Sequence, residues 1–166
     1  MINRRFILIS LPFWAAACSR GPSKFKVYKG PPVTRILVFK ETRKMHLMHF
    51  DRVLASFDID LGFNPQGHKG QEGDGRTPEG EYMIDRRNPN SRFHLSLGIS
   101  YPNEADITRA KEAGVKPGGD IFIHGRPRPF QNGARDWTWG CIAVTDEEIE
   151  IIYFMVQDGT PISIFP

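Results

Sequence analysis

Cysteine is scarce: the 166 residues hold two, Cys18 and Cys141. Two cysteines build no disulfide framework, so this is not a small disulfide-stapled scaffold. Excess charge of one sign is missing too. Lys and Arg number 22 against 19 Asp and Glu, a formal net charge of +3. No basic stripe marks a nucleic-acid partner. No apolar run is long enough to span a bilayer as a stable helix. The five histidines do not cluster. His46 and His49 are three apart in an expected strand, which points them to opposite faces. His68 falls in a loop and His94 opens a strand, so no metal site of closely spaced ligands presents itself. The stretch GDGRTPEG (73–80) lacks the Lys-Ser/Thr ending of a phosphate loop. There is no repeat and no sign of a second domain. A hydrophobic fraction of 40% and a charged fraction of 25% suit one globular domain.

What is present starts with a leader-like segment, residues 1–18. Arg4 and Arg5 form a positive start, Phe6 to Trp14 an apolar run, and Ala15 to Ala17 a small-residue stretch before Cys18. That order is the mark of a secretory signal peptide. Small residues before a cysteine also resemble a bacterial lipoprotein box, with Ala15 where Leu is usual. Cys18 is therefore a candidate lipidation site, plain cleavage being the other outcome. RRFIL further resembles a twin-arginine export signal. The expected location is the periplasm or cell envelope, with membrane attachment through Cys18 if it is lipidated. In that case Ser19 favours the outer membrane of a diderm cell. Losing Arg4 and Arg5 with the leader lowers the net charge to +1. Residues 19–34 are rich in Gly, Pro, Ser and Lys and read as a tether. Residues 35–166 form the domain.

Within the domain, residues 35–40 and 44–50 read as a hairpin turning at 41–43. A strand over 52–62 follows, with Val53, Ala55, Phe57 and Ile59 on one face. Residues 64–80 form a long Gly-rich loop. Strands are expected at 81–85 and 93–99, with a turn at 86–91 between them. A helix over 103–114 has Asn103 as N-cap and Gly114 as its stop. A buried strand, 120–125, ends at His124. Thr145 and Glu148 make a capping box for a helix over 146–157, with Ile149, Ile152, Tyr153 and Val156 on its apolar face. PISIFP closes the chain as a strand. The fold class is mainly β with two short helices.

Cys141 is the residue this pattern leaves unexplained. If Cys18 is removed or lipidated, Cys141 has no partner in the chain, and a free thiol in an oxidising compartment is a liability without a task. A nucleophilic cysteine needs a base, most often imidazole. His124 ends an apolar strand, and Gly125 after it permits close approach of a backbone or ligand. Gly140 supplies an unhindered approach to Cys141. The N–H groups of Gly140 and Cys141 are candidate oxyanion donors. By spacing alone, a buried inert cysteine remains an alternative.

His-Gly at 124–125, a loop, then TWGCIAV at 138–144 resembles the L,D-transpeptidase catalytic domain (YkuD-like) family, whose signature is His-Gly followed by Ser/Thr-x-Gly-Cys. GDGRTPEGEYMI (73–84) resembles a second segment of that family, and FHLSLGISYPNEAD (93–106) a third, in the family's order. The resemblance covers roughly residues 34–166. It implies a β-sandwich with an active-site cleft at its edge. It also implies Cys141 as nucleophile, His124 as base and no metal or organic cofactor. Thr138, Gly125, Arg126, Trp139 and Tyr101 become candidate substrate-binding residues. Trp137 is a candidate aromatic wall. Asp136 invites a triad reading, but the family orients its histidine through backbone carbonyls.

The implied partner is the peptidoglycan stem peptide, and the implied reaction is acyl transfer through a Cys141 thioester. D-Alanine is released and a 3→3 cross-link forms, or another amine is acylated. Trp139 and Ala143 depart from the family's usual residues beside the nucleophile. Two alternatives therefore stay open. One is hydrolysis on the same scaffold, as an L,D-carboxypeptidase or an amidase releasing peptidoglycan-linked protein. The other is a non-catalytic wall-binding lipoprotein.

Overall fold

The computed structural model describes residues 28–125 and 135–166; Cys18, the leader and Arg126 lie outside them. Strand β1 (Arg35–Phe39) and strand β2 (Lys44–His49) pair antiparallel as the hairpin requires. Ile36, Val38, Met45 and Leu47 point inward and are fully buried. Strand β3 (Arg52–Asp58) pairs antiparallel with β2. A bulge between Leu47 and Met48 resets the alternation. Met48 is buried next to Leu47, and His46 and His49 are both left partly exposed. The expected placement of these histidines on opposite faces therefore does not hold. His46 bonds Ser56, and His49 bonds the Pro32 carbonyl. Val53 is turned outward, and Phe57 and Ile59 carry the inner face. The strand stops at Asp58, short of the expected Gly62, because the chain changes partners there. Asp60 and Gly62 bridge to Ala143 and Thr138.

Strand β4 (Gly80–Asn88) is longer than the expected 81–85. Its first half pairs with the strand over Pro161–Phe165 and its second half with the strand over Ser96–Ile99, across a register shift at Ile84/Arg86. Residues 86–88 are strand, not turn, because that second partner takes up their backbone. The shorter strand is β5 (Ser96–Ile99). Helix α1 (Glu104–Glu112) starts at a capping box of Asn103 and Asp106, and Gly114 follows it at φ +68°. Then come β6 (Phe122–His124), the two-residue β7 (Ile142–Ala143), α2 (Asp146–Met155) and β8 (Pro161–Phe165).

The strand order is β3-β2-β1-β8-β4-β5-β6-β7. The β1–β8 and β6–β7 pairs are parallel and the others antiparallel. The sheet curls until its two ends meet at the Asp60–Ala143 and Gly62–Thr138 bridges. Helix α2 begins at the expected capping box of Thr145 and Glu148 and packs across β5 and β6. Arg87 of β4 donates to the Tyr153 and Val156 carbonyls at the far end of α2, satisfying groups a helix end leaves open. The architecture is mainly β with two helices, as the pattern of apolar residues requires. No helix among the described residues is long and apolar enough to cross a membrane.

Candidate active site

His124 ends β6, and Cys141 stands immediately before β7, the parallel neighbour of β6. Both side chains line one cavity of about 310 Å³, with Phe93, Phe122, Arg92 and Asp120. His124 is only 3% exposed. Its ring stacks on Phe93 at 4.4 Å between centroids and 24° between planes, and Trp137 meets it edge-on at 5.7 Å. Its Nδ1 lies 2.8 Å from the Gly125 carbonyl. A carbonyl only accepts, so Nδ1 carries the proton and Nε2 is left as the basic nitrogen.

The sulfur has its own holders. Sγ donates to the Asp120 carbonyl at 3.5 Å. Asp120 adopts φ +54°, a left-handed conformation uncommon for a non-glycine residue. Burial pushes the Cys141 thiol above its ordinary range, opposed by the Phe122 N–H and the positive charge of Lys69, while Asp120 adds to the rise. Burial likewise lowers the His124 pKa, against the Gly125 hydrogen bond. Burial thus disfavours the charged form of both groups.

Several residues expected to touch substrate have other work. Thr138 is 3% exposed, and its hydroxyl donates to the Cys141 carbonyl at 2.7 Å and accepts from the Gly140 N–H at 3.1 Å. It clamps the turn that carries Cys141. The Gly140 N–H is therefore engaged and is not the oxyanion donor expected of it. The Cys141 N–H makes no hydrogen bond among the described residues. Gly140 is required sterically: at φ +122°, an added Cβ stands 2.5 Å from the Arg76 carbonyl oxygen. Gly125 donates its N–H to the Phe93 and Leu95 carbonyls and presents its own carbonyl to His124. It orients the base and does not face the cavity. Tyr101 is buried, with its hydroxyl donating to Pro117 at 2.9 Å, so it packs over the start of α1 and does not line the cavity. Asp136 is no triad member. It takes up the Arg43 guanidinium, with Nη2 at 2.7 Å, and the Leu61 N–H. Trp139 is 70% exposed, edge-on to Phe63 at 4.8 Å.

Phe93, Phe122, Asp120 and Lys69 escaped the sequence reading. Only Asp120 carried a signal, since it follows Gly118 and Gly119 at the entrance to a strand. Lys69 lies inside the Gly-rich loop yet is 3% exposed and pairs with Asp74 at 2.9 Å. Among the described residues, no group of three or more His, Cys, Asp or Glu side chains is placed to hold a metal ion.

A family model, the L,D-transpeptidase catalytic domain (YkuD), matches residues 33–164, and that span contains both His124 and Cys141. The chain belongs to the L,D-transpeptidase catalytic domain family. It is 29% identical over 150 residues to a protein named L,D-transpeptidase YafK from Escherichia coli (strain K12), covering 82% of this chain and 55% of that protein. Among solved structures it is similar to Bdellovibrio bacteriovorus Bd1075, with 26% identity and a TM-score of 0.58 over 81% of this chain and 48% of that one. The helical cell shape determining protein Pgp2 of Campylobacter jejuni shares the fold at 24% identity and a TM-score of 0.61, over 82% of this chain and 48% of that one. The chain thus spans about half the length of the relatives it matches. Within this L,D-transpeptidase domain, Ala143 is 2% exposed and sits between Asp60 and His124 in the strand pairings. It forms part of the wall beside the base.

Proposed function

We propose that the chain is an exported cysteine acyltransferase acting on peptidoglycan stem peptides in the cell envelope. Residues 1–18 direct its export, and residues 19–34 tether the domain, with Cys18 as the point of lipid attachment. The observation that carries the catalytic reading is that Cys141 and His124 line one cavity while Nδ1 of His124 is committed to the Gly125 carbonyl. That commitment leaves Nε2 to accept the thiol proton.

Cys141 Sγ attacks the carbonyl joining the L-centre of diaminopimelate to D-alanine. Burial works against a standing ion pair, so proton transfer to Nε2 accompanies the attack. The Cys141 N–H donates to the developing oxyanion. The C–N bond then breaks, Nε2 returns the proton to the leaving amine, D-alanine departs and a thioester remains. An amine of a second stem resolves the thioester into a 3→3 link, and water in its place gives a tripeptide.

The purified full chain is mixed with stem tetrapeptide and followed by intact mass, peptide mapping and D-alanine release. The expected result is a tripeptidyl adduct on Cys141, absent from Cys141→Ala, and 3→3 dimers when stem acceptor is in excess. Tripeptide without dimer establishes hydrolysis in place of cross-linking. No adduct and no D-alanine from the wild type overturns the acyl-transfer reading.

A further inference from the structure

The cavity holding Cys141 and His124 also carries a cation that the chemistry above leaves idle. Arg92 lines it from the turn between β4 and β5. Several other basic groups are spoken for: Arg43 by Asp136, Arg86 by Asp85, Arg109 by Asp106, Lys40 by Glu79 and Lys69 by Asp74. Arg92 has no ion pair or hydrogen bond among the described residues. The turn bearing it is nonetheless fixed to the site. The next residue, Phe93, donates its N–H to Ser91 Oγ at 3.1 Å and stacks on His124. Arg92 therefore belongs to the histidine's side of the cavity. Asp120 belongs to the sulfur's side, since its main-chain carbonyl holds Sγ; its carboxylate is 92% exposed and lies 3.4 Å from Arg86 Nη2.

The two sides are not equivalent in an acyl transfer. The base returns its proton to the leaving amine, so the leaving group departs on the histidine's side. An amino acid that leaves through its amine carries its carboxylate one carbon away. We propose that Arg92 is a specificity residue that binds the free α-carboxylate of the leaving amino acid. A guanidinium suits this role because its planar fork matches a carboxylate in two hydrogen bonds. The proposal rests on the acyl-transfer reading for its substrate, but the charge preference of the cavity can be measured without it.

The first arm uses two alkylating agents of similar shape, anionic iodoacetate and neutral iodoacetamide. With each, the Sγ–C bond forms as the C–I bond breaks and iodide leaves. Rates on the full chain are read at Cys141 by peptide mapping, so that Cys18 does not contribute. Arg92→Gln is expected to lower the iodoacetate-to-iodoacetamide rate ratio about threefold to fivefold, the effect of one partly exposed charge pair. Arg92→Lys is expected to keep most of it. An unchanged ratio, or an equal fall in both rates, overturns the proposal.

The second arm compares stem tetrapeptide with its C-terminal carboxamide. Arg92→Gln is expected to slow Cys141 acylation by the carboxylate donor about tenfold, as loss of a charge-assisted pair predicts, and to leave the carboxamide donor unchanged. Equal losses for both donors overturn the proposal. Acylation by neither donor in the wild type, with the alkylation ratio still dependent on Arg92, overturns the acyl-transfer reading and leaves the carboxylate site standing.

Discussion

His124 and Cys141 are both held where burial favours the uncharged form. A cysteine nucleophile that rests as a thiolate reacts with alkylating agents at an almost constant rate down to acid pH. Cys141 is expected to behave otherwise. Its alkylation rate rises through the alkaline range with a midpoint above that of an ordinary thiol, about 8.5. A stopped-flow pH series with iodoacetamide checks this, and a plateau reaching below about pH 7 would show that the ion pair already exists. At this scale the motif singled out the two residues that the fold brings to one cavity, because His-Gly and Thr-x-Gly-Cys are specific in combination. The neighbours were not legible. Thr138, Gly140 and Tyr101 are polar or open enough to suggest contact with substrate, but the direction of a hydroxyl or an N–H depends on how the backbone turns. Here each points into the protein: Thr138 to Cys141, Gly140 to Thr138 and Tyr101 to Pro117.

Elements place these side chains, and one tight joint is between the end of β6 and the start of α2. An added Cβ on Gly125 would stand 2.4 Å from Asp146 Oδ1, 2.8 Å from the Phe93 carbonyl oxygen and 3.0 Å from Ile149 Cγ2. The Phe93 backbone cannot yield without moving the ring that stacks on His124. Gly125→Ala is therefore expected to cost about 1–3 kcal/mol of stability, as overpacking does. It is also expected to slow Cys141 acylation at fixed pH beyond what partial unfolding explains. Urea denaturation and single-turnover acylation together check it, and a variant of unchanged stability would show that the joint is looser than drawn. Both helices, the Asn103 N-cap and the Thr145–Glu148 capping box were legible, since N-cap and apolar spacing act within a few residues; the Asn103–Asp106 box came only from the structure. The two-residue β7 was not, because it is a strand only through partners in β6 and at Asp60. Nor was the second half of β4, whose Arg-Arg-Asn looks like a turn until β5 lies beside it.

Across the whole molecule, His124 and Cys141 set a pH window for stability. The folded His124 pKa is lowered, so its contribution is present above about pH 6.5 and is lost as pH falls towards the folded value. The folded Cys141 pKa is raised, so its contribution is present below about pH 8.5 and is lost as pH rises towards the folded value. Urea midpoints are expected to fall on both sides of that window. Cys141→Ala is expected to remove part of the alkaline loss. Lys40, whose pKa burial also lowers, and Tyr82 and Tyr101, whose pKa values burial raises, are common to both proteins. The difference between the two curves therefore isolates the thiol, and identical alkaline limbs would contradict the direction assigned to it. The fold class was legible in the run of short alternating strands, and the family in three ordered segments. The strand order was not, because pairing across the sheet leaves no local trace in the sequence.

That order carries a consequence for synthesis. Strand β8 comes after both of its partners in the chain, yet it lies between β1 and β4 and pairs the first hairpin with the half that bears Cys141. While the polypeptide is being made, the β1–β3 meander waits with its inner edge open until β8 has emerged from the ribosome. The two halves of the sheet are joined through a strand translated after both of them.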